Sequence, residues 1–153
     1  MSFIFYNCRI KTLDEIKNWS IKNVKSLRGA FSCSSINSFD AISNWNTYNV
    51  EDMRNLFKDQ SITNLNFLKN CNTNNFILMD SMFHSCQQLI SLEGISNWDV
   101  SKVEKMNELF RDCISLSYLK LFQIGILKIL KKWMICFILA VHSFLWMELK
   151  TLI

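Results

Sequence analysis

Apolar side chains recur along this chain at fixed distances from four reference points. Trp19, Trp45, Cys71 and Trp98 stand 26, 26 and 27 residues apart, and each is preceded by an asparagine: Asn18, Asn44, Asn70 and Asn97. Five residues on come Val24, Val50, Phe76 and Val103, and eight on come Leu27, Met53, Met79 and Met106. Ala30, Leu56, Met82 and Leu109 follow at eleven, and Phe31, Phe57, Phe83 and Phe110 at twelve. Those offsets predict one apolar face of a short helix. Before each reference point the apolar positions recur every three residues: Ile16, Ile42, Leu68 and Ile95, then Leu13, Phe39, Leu65 and Leu92, then Ile10, Ile36, Ile62 and Leu89. A spacing of three fits neither a strand nor a long helix. It fits a coil that turns corners and presents an apolar residue inward from each side. One such repeat cannot bury its own apolar face, so adjacent copies must stack, and the pattern predicts a solenoid of about four coils. The asparagines are expected to satisfy backbone groups at a corner and in the next copy. The aromatic positions are expected to be core ladders, not a base-stacking platform.

The clearest copy, Leu89 to Cys113, reads LISLEGISNWDVSKVEKMNELFRDC. It resembles the repeat of BspA-like leucine-rich-repeat surface proteins, in which W-D-x-S-x-V-x-x-M-x-x-M-F-x-x-C stands in tandem. Trp98, Asp99, Ser101, Val103, Met106, Phe110 and Cys113 carry the match, and weaker copies at Trp19 and Trp45 extend it over residues 1 to about 121. The resemblance implies an α/β fold, a leucine-rich-repeat-like parallel solenoid of short strands or turns and short helices. It also implies a place on the cell surface or outside the cell, and a partner protein or host surface as ligand. Ser20 and Asn46 replace the aspartate, Cys71 replaces a tryptophan, and Gln60 stands at the cysteine site. The start, MSFIFYNCRIK, lacks the features of a secretory signal, so the location is left unassigned.

Two segments follow: a repeat region, 1–121, and an apolar tail, 122–153. The tail's first reading is a non-repeat hydrophobic helix. Trp133 to Met147, after Lys131 and Lys132, resembles a membrane anchor, but it falls short of the roughly 20 apolar residues a crossing helix needs. A second reading comes from the genetic code. Read one base earlier in AT-rich codons, Phe122–Ile126 yields Ser-Asn-Trp-Asp, and Lys131–Ala140 yields Lys-Lys-Met-Asp-Asp-Met-Phe-Tyr-Ser-Cys. The tail is therefore expected to be a frameshifted copy of the next repeat and the chain a fragment of a longer array. Membrane contact is expected only if the tail is a genuine anchor.

Composition changes little in this picture. Half of the 153 residues are hydrophobic, which argues against disorder, and with no proline and three glycines the turns must come from Asn, Ser and Asp. The net charge of +4 sits largely in the tail: Lys128, Lys131, Lys132 and Lys150 oppose Glu148, leaving 13 basic and 12 acidic residues before it. Nucleic acid is not an expected partner. Of the six cysteines, Cys8, Cys33, Cys86 and Cys113 follow the helix phenylalanine by two or three residues and are expected to pack inward. Cys86 and Cys113 occupy one slot in consecutive copies and would bridge only in an oxidising compartment. No CxxC, HExxH or Cys/His cluster offers a metal site, and no cofactor is expected. His84 is expected to be a solvated cap, because no nucleophile or carboxylate recurs beside it.

The chain is therefore expected to be a non-enzymatic binding or adhesion module, the alternative being a functionless remnant of a broken repeat gene. Ser91, Glu93, Ser96, Ser38, Asp40 and Ser43 are candidate outward contacts.

Overall fold

Two residues in each repeat decide the path of the backbone. In the computed structural model, which describes residues 1–116, Gly29, Asn55, Ser81 and Glu108 have φ between 55° and 58°. Cys33, Asp59, Ser85 and Asp112 have φ between 56° and 60°, and Phe3 and Asn7 hold the same two places in the first turn of chain. A left-handed residue every fourth position cannot lie in a right-handed helix. The stretch that carries the Val, Met, Leu and Phe ladder therefore folds as overlapping turns.

Its hydrogen bonds alternate along the chain. The N–H groups of Leu27, Gly29, Phe31 and Cys33 donate to the carbonyls of Asp52, Arg54, Leu56 and Lys58 in the next coil, at 2.8–3.1 Å. Those of Ala30, Ser32 and Ser34 turn back onto Leu27, Gly29 and Phe31 within the coil. The carbonyls of Arg28, Ala30 and Ser32 accept from Phe3, Phe5 and Asn7 on the other side. Every second residue thus bonds between coils and every other one within a coil, which satisfies the buried backbone without helix or sheet. Met53 to Asp59 repeat the pattern onto Leu78 to His84, and Met79 to Ser85 repeat it onto Lys105 to Arg111.

The other side of each coil is a single turn of 3-10 helix: Asp14–Ile16, Asp40–Ile42, Asn66–Leu68 and Glu93–Ile95. Here lie the residues spaced by three, which a 3-10 turn brings back to the same face. Isolated parallel bridges, Ser26 to Asp52, Asp52 to Leu78 and Leu78 to Lys105, tie the coils along a third edge.

The α/β solenoid of short strands and short helices expected from the sequence is overturned by this backbone. Among the described residues there is no α-helix and no β-strand, only the four 3-10 turns and the isolated bridges. What the periodicity detected was inwardness, not helicity. Val50, Phe76 and Val103 are buried, as are Leu27, Met53, Met79 and Met106, and Ile16, Ile42, Leu68 and Ile95 face them from the 3-10 side. All belong to one continuous hydrophobic cluster.

The expected division at residue 121 and the tail over 122–153, with its frameshift and anchor readings, lie outside the described residues. Among the described residues no helix is long and apolar enough to cross a membrane.

Candidate interaction surface

The interior is built from the repeat residues named above. Phe5, Phe31, Phe57, Phe83 and Phe110 stack in one column, with ring centroids 5.4–5.9 Å apart and planes within 12° of parallel. Offset stacking of this kind adds roughly 0.5–1.5 kcal/mol per pair beyond area burial. Phe5, the phenylalanine that Cys8 follows by three residues, extends the column by one more step of 26 residues.

The tryptophan slot joins each coil to the one before. Trp45 Nε1 donates to the Ile16 carbonyl at 3.3 Å, and Trp98 Nε1 donates to the Leu68 carbonyl at 3.4 Å. Each acceptor ends the preceding coil's 3-10 turn. Trp19 is 42% exposed and packs against Phe5. Cys71 fills the slot with a much smaller side chain, and Phe67 compensates from four residues earlier, packing against Phe39 and Phe57 at 5.2 and 5.3 Å. A cavity of about 20 Å³ remains between Trp45, Phe67 and Cys71, enough for one water. Burial pushes the Cys71 thiol up to about 11, against a hydrogen bond with Thr47 that lowers it.

The asparagines before the slot do not act as expected. Asn18, Asn44, Asn70 and Asn97 are exposed, and no side-chain hydrogen bond forms at any of them among the described residues. The amide that does join coils stands four residues after the slot. Asn49 Nδ2 donates to the Lys22 carbonyl at 2.6 Å, Asn75 Nδ2 to the Tyr48 carbonyl at 2.7 Å, and Lys102 Nζ to Asn75 Oδ1 at 3.2 Å. Its 26-residue recurrence was a signal available in the sequence.

A second hidden row holds Ser34, Gln60, Cys86 and Cys113, fifteen residues after the slot. All four cap a ladder phenylalanine carbonyl. Ser34 Oγ donates to Phe31 O at 2.7 Å, and Gln60 Nε2 donates to the same oxygen at 2.7 Å. Cys86 Sγ reaches Phe57 O at 3.1 Å, and Cys113 Sγ reaches Phe83 O at 3.0 Å. Cys33 lies one residue out of this row, and its thiol donates to Asp59 Oδ2 at 3.3 Å. Cys86 and Cys113 are free thiols; hydrogen bonding with Cys113, reinforced by burial, pushes the Cys86 thiol up. His84 is not a solvated cap: its Nε2 lies 3.3 Å from Asp112 Oδ2, and its Nδ1 is buried without a partner.

Of the outward candidates, Ser38 and Ser91 have local work. Their hydroxyls accept from the backbone N–H of Asp40 and Glu93, at 3.1 and 3.3 Å, and so open the 3-10 turns. Asp40 and Glu93 are exposed, Ser43 and Ser96 partly so.

More surface chemistry lies along the bridged edge. Six residues after the slot stand Lys25, Glu51, Ile77 and Glu104; seven after, Ser26, Asp52, Leu78 and Lys105; nine after, Arg28, Arg54, Asp80 and Asn107. Lys25 Nζ pairs with Glu51 at 3.0 Å, and Arg54 grips Asp52 through Nε and Nη2, both at 2.9 Å. Partial burial acts to raise the Asp52 carboxyl, but the bonds and charge of Arg54, with the Ser26 hydroxyl, outweigh it and hold it below its ordinary value. Asp80 Oδ1 accepts from both the backbone and side-chain N–H of Asn107. Ile77 and Leu78 are half-buried in the middle of this row, an apolar centre flanked by charge. Among the described residues no group of three or more His, Cys, Asp or Glu is placed to hold a metal.

A family described as "Mycoplasma protein of unknown function, DUF285" matches residues 1–119. No curated protein and no solved structure matches the chain.

Proposed function

Because the chain belongs to the DUF285 family of Mycoplasma proteins of unknown function, we propose a role from the coils themselves: a non-enzymatic module that binds a partner protein through its bridged edge. One observation carries this reading. Coil after coil the interior repeats, whereas the edge changes from Lys25 and Ser26 to Glu51 and Asp52, then Ile77 and Leu78, then Glu104 and Lys105, on a backbone held in register by the parallel bridges. A constant scaffold with a varied rim is the arrangement that stacked repeats use for recognition. An apolar centre ringed by charged residues matches the anatomy of protein interfaces. The resemblance of Leu89–Cys113 to the BspA-like repeat supports a surface protein, or matrix protein, as the ligand.

The test uses the full chain, immobilised, against a panel of purified matrix proteins and an extract of host cell-surface proteins. Beside it stands an Ile77→Ser/Leu78→Ser variant whose melting temperature stays close to that of the parent. Capture by the parent that falls at least tenfold in the variant supports the proposal. Equal capture by both, or capture by neither, refutes it.

A further inference from the structure

The capping row sets two thiols side by side in neighbouring coils. Cys86 and Cys113 both stand fifteen residues after the slot, in the third and fourth coils. Their register is fixed from the phenylalanine side: Phe83 N–H donates to the Leu109 carbonyl at 3.0 Å, and Ser85 N–H donates to the Arg111 carbonyl at 2.7 Å. Three residues before the thiols, the rings of Phe83 and Phe110 stack at 5.4 Å with planes 3° from parallel. The sulfurs repeat one another as well. Cys86 Sγ donates to Phe57 O at 3.1 Å and Cys113 Sγ to Phe83 O at 3.0 Å, so each thiol leans from its own coil toward the preceding one. The two are near enough to hydrogen-bond to each other.

Among the described residues no other cysteine has such a neighbour. The coil after Cys8 has Ser34 in the same slot, the coil after Cys33 has Asp59, and Cys71 lies between Trp45 and Trp98. A disulfide joins Cα atoms roughly 4.4–6.8 Å apart, and coils spaced like the rings of Phe83 and Phe110 meet that requirement without parting. Both thiols are buried, Cys86 at 0% and Cys113 at 4% exposed, so a reagent reaches them while the chain folds or while the fourth coil stands open. Once the coils close, the same burial shields the bond from small thiols. Closing it costs one cap: Phe83 O keeps the Cys86 N–H at 3.1 Å, whereas Phe57 O gives up the Cys86 thiol. Against that cost, tying residues 87–112 into a loop restricts the unfolded chain.

We propose that Cys86 and Cys113 form a disulfide site, closed by exchange with a small-molecule disulfide such as oxidised glutathione. One cysteine, as thiolate, attacks a sulfur of the small disulfide; a mixed disulfide forms, and the released small thiolate takes up the proton the cysteine lost. The second cysteine, deprotonated in turn, attacks the protein sulfur of the mixed disulfide. The bond between Cys86 and Cys113 forms and a second small thiol leaves. Two protein thiols are thereby oxidised and one small disulfide is reduced to two thiols. The bond clamps the third coil to the fourth. It involves none of the residues of the bridged edge, so it stands or falls apart from the binding role proposed there.

The experiment refolds the full, reduced chain in glutathione buffers with either the oxidised or the reduced form in excess. Free thiols are then blocked with N-ethylmaleimide, and the monomer is digested for mass spectrometry. With oxidised glutathione in excess, a peptide pair joined through Cys86 and Cys113 should dominate, lighter than the free pair by two hydrogen atoms, while Cys8, Cys33 and Cys71 carry the blocking group. The oxidised chain should melt at a higher temperature than the reduced one and should resist dithiothreitol at least tenfold longer in native buffer than in urea. Cys113→Ser, which keeps a hydroxyl for Phe83 O as Ser34 does for Phe31 O, should abolish the difference in melting between the two buffers. Mapping of the unsubstituted chain decides the pairing even where that variant folds poorly. No bond between Cys86 and Cys113, a different dominant pair, or an oxidised chain that melts no higher than the reduced one overturns the assignment.

Discussion

At the scale of single residues, backbone contacts decide which positions tolerate change. Gly94 sits in the fourth 3-10 turn, where an added Cβ would lie 1.9 Å from the Leu65 carbonyl oxygen and 2.2 Å from its carbon. Both are backbone atoms of the neighbouring coil, so relief requires the coils to part. Gly94→Ala is expected to destabilise the fold by about 3 kcal/mol, read from urea unfolding. Gly29 offers the contrast. Its φ of +58° is matched by Asn55, Ser81 and Glu108 at the same position, and the atoms an added Cβ would meet belong to the ring of Phe3, which is 47% exposed and can shift at the expense of its contacts with Tyr6 and Arg28. Gly29→Asn should therefore cost about 1–2 kcal/mol, the usual penalty for a side chain in the left-handed region and less than the loss at Gly94. Asp52 sets a pH dependence at the same scale. Its folded pKa lies below the unfolded value of about 3.9, so its stabilising contribution is complete above that value and is lost as pH falls through the folded pKa. Asp52→Asn should flatten the part of the stability curve lying below about pH 4, measured by denaturation at a series of acid pH values.

At the scale of the coil, the sequence disclosed which residues point inward but not how the backbone brings them there. Offsets of five, eight, eleven and twelve are compatible with a helix face, and nothing in the apolar pattern distinguishes that from overlapping turns. The distinguishing signal is polar. Asn55, Asp59, Ser81, Ser85 and Asp112 fall at the two left-handed positions, and Asn and Asp are the side chains that adopt this conformation most readily. Glu108 blurs the signal. The resulting alternation of hydrogen bonds has a direct readout in amide exchange. Met53, Asn55, Phe57 and Asp59 donate to the next coil, whereas Leu56 and Lys58 donate within their own turn. Hydrogen exchange should be slow at the odd positions, where the coils must separate, and faster at the even ones, where a turn can open alone. The exchanged tryptophan slot is an equally specific case. Phe67 packs on Phe57 beside Cys71 as Trp45 packs on Phe31 one coil earlier, so Cys71→Trp alone should overpack and destabilise by about 1–3 kcal/mol. Adding Phe67→Ala should recover part of that loss, with a coupling energy above about 1 kcal/mol in a double-mutant cycle.

At the scale of the whole described stack, each coil meets only its neighbours, so stability should depend on where along the stack a contact is removed. A polar cleft of about 280 Å³, lined by Asp59, Gln60, Ser61, Ser85, Gln87 and Gln88, shows how little of this level was legible beforehand. Its two causes, Gln60 in the capping row and the extra residue at Gln87–Gln88, are visible in the sequence as a mismatch and a 27-residue interval. Only the stacking of one coil on the next brings them together, so their coincidence could not be read from either alone. The phenylalanine column makes the positional argument testable. Phe57 is fully buried and stacks on Phe31 and Phe83 at 5.9 and 5.7 Å, with Phe39 and Phe67 edge-on. Phe5 stacks on Phe31 from one side and remains partly exposed. Phe57→Ala removes contacts to both neighbouring coils at once and should cost about 3–5 kcal/mol. That is a large fraction of the ~5–15 kcal/mol that holds a domain together. Phe5→Ala removes one neighbour and should cost less than half as much. If coupling runs only between adjacent coils, Phe57→Ala should also lower the urea m-value as the two flanks begin to unfold separately, while Phe5→Ala should leave it unchanged. Equal losses at the two positions would mean that stability is shared across the interior as in a globular core.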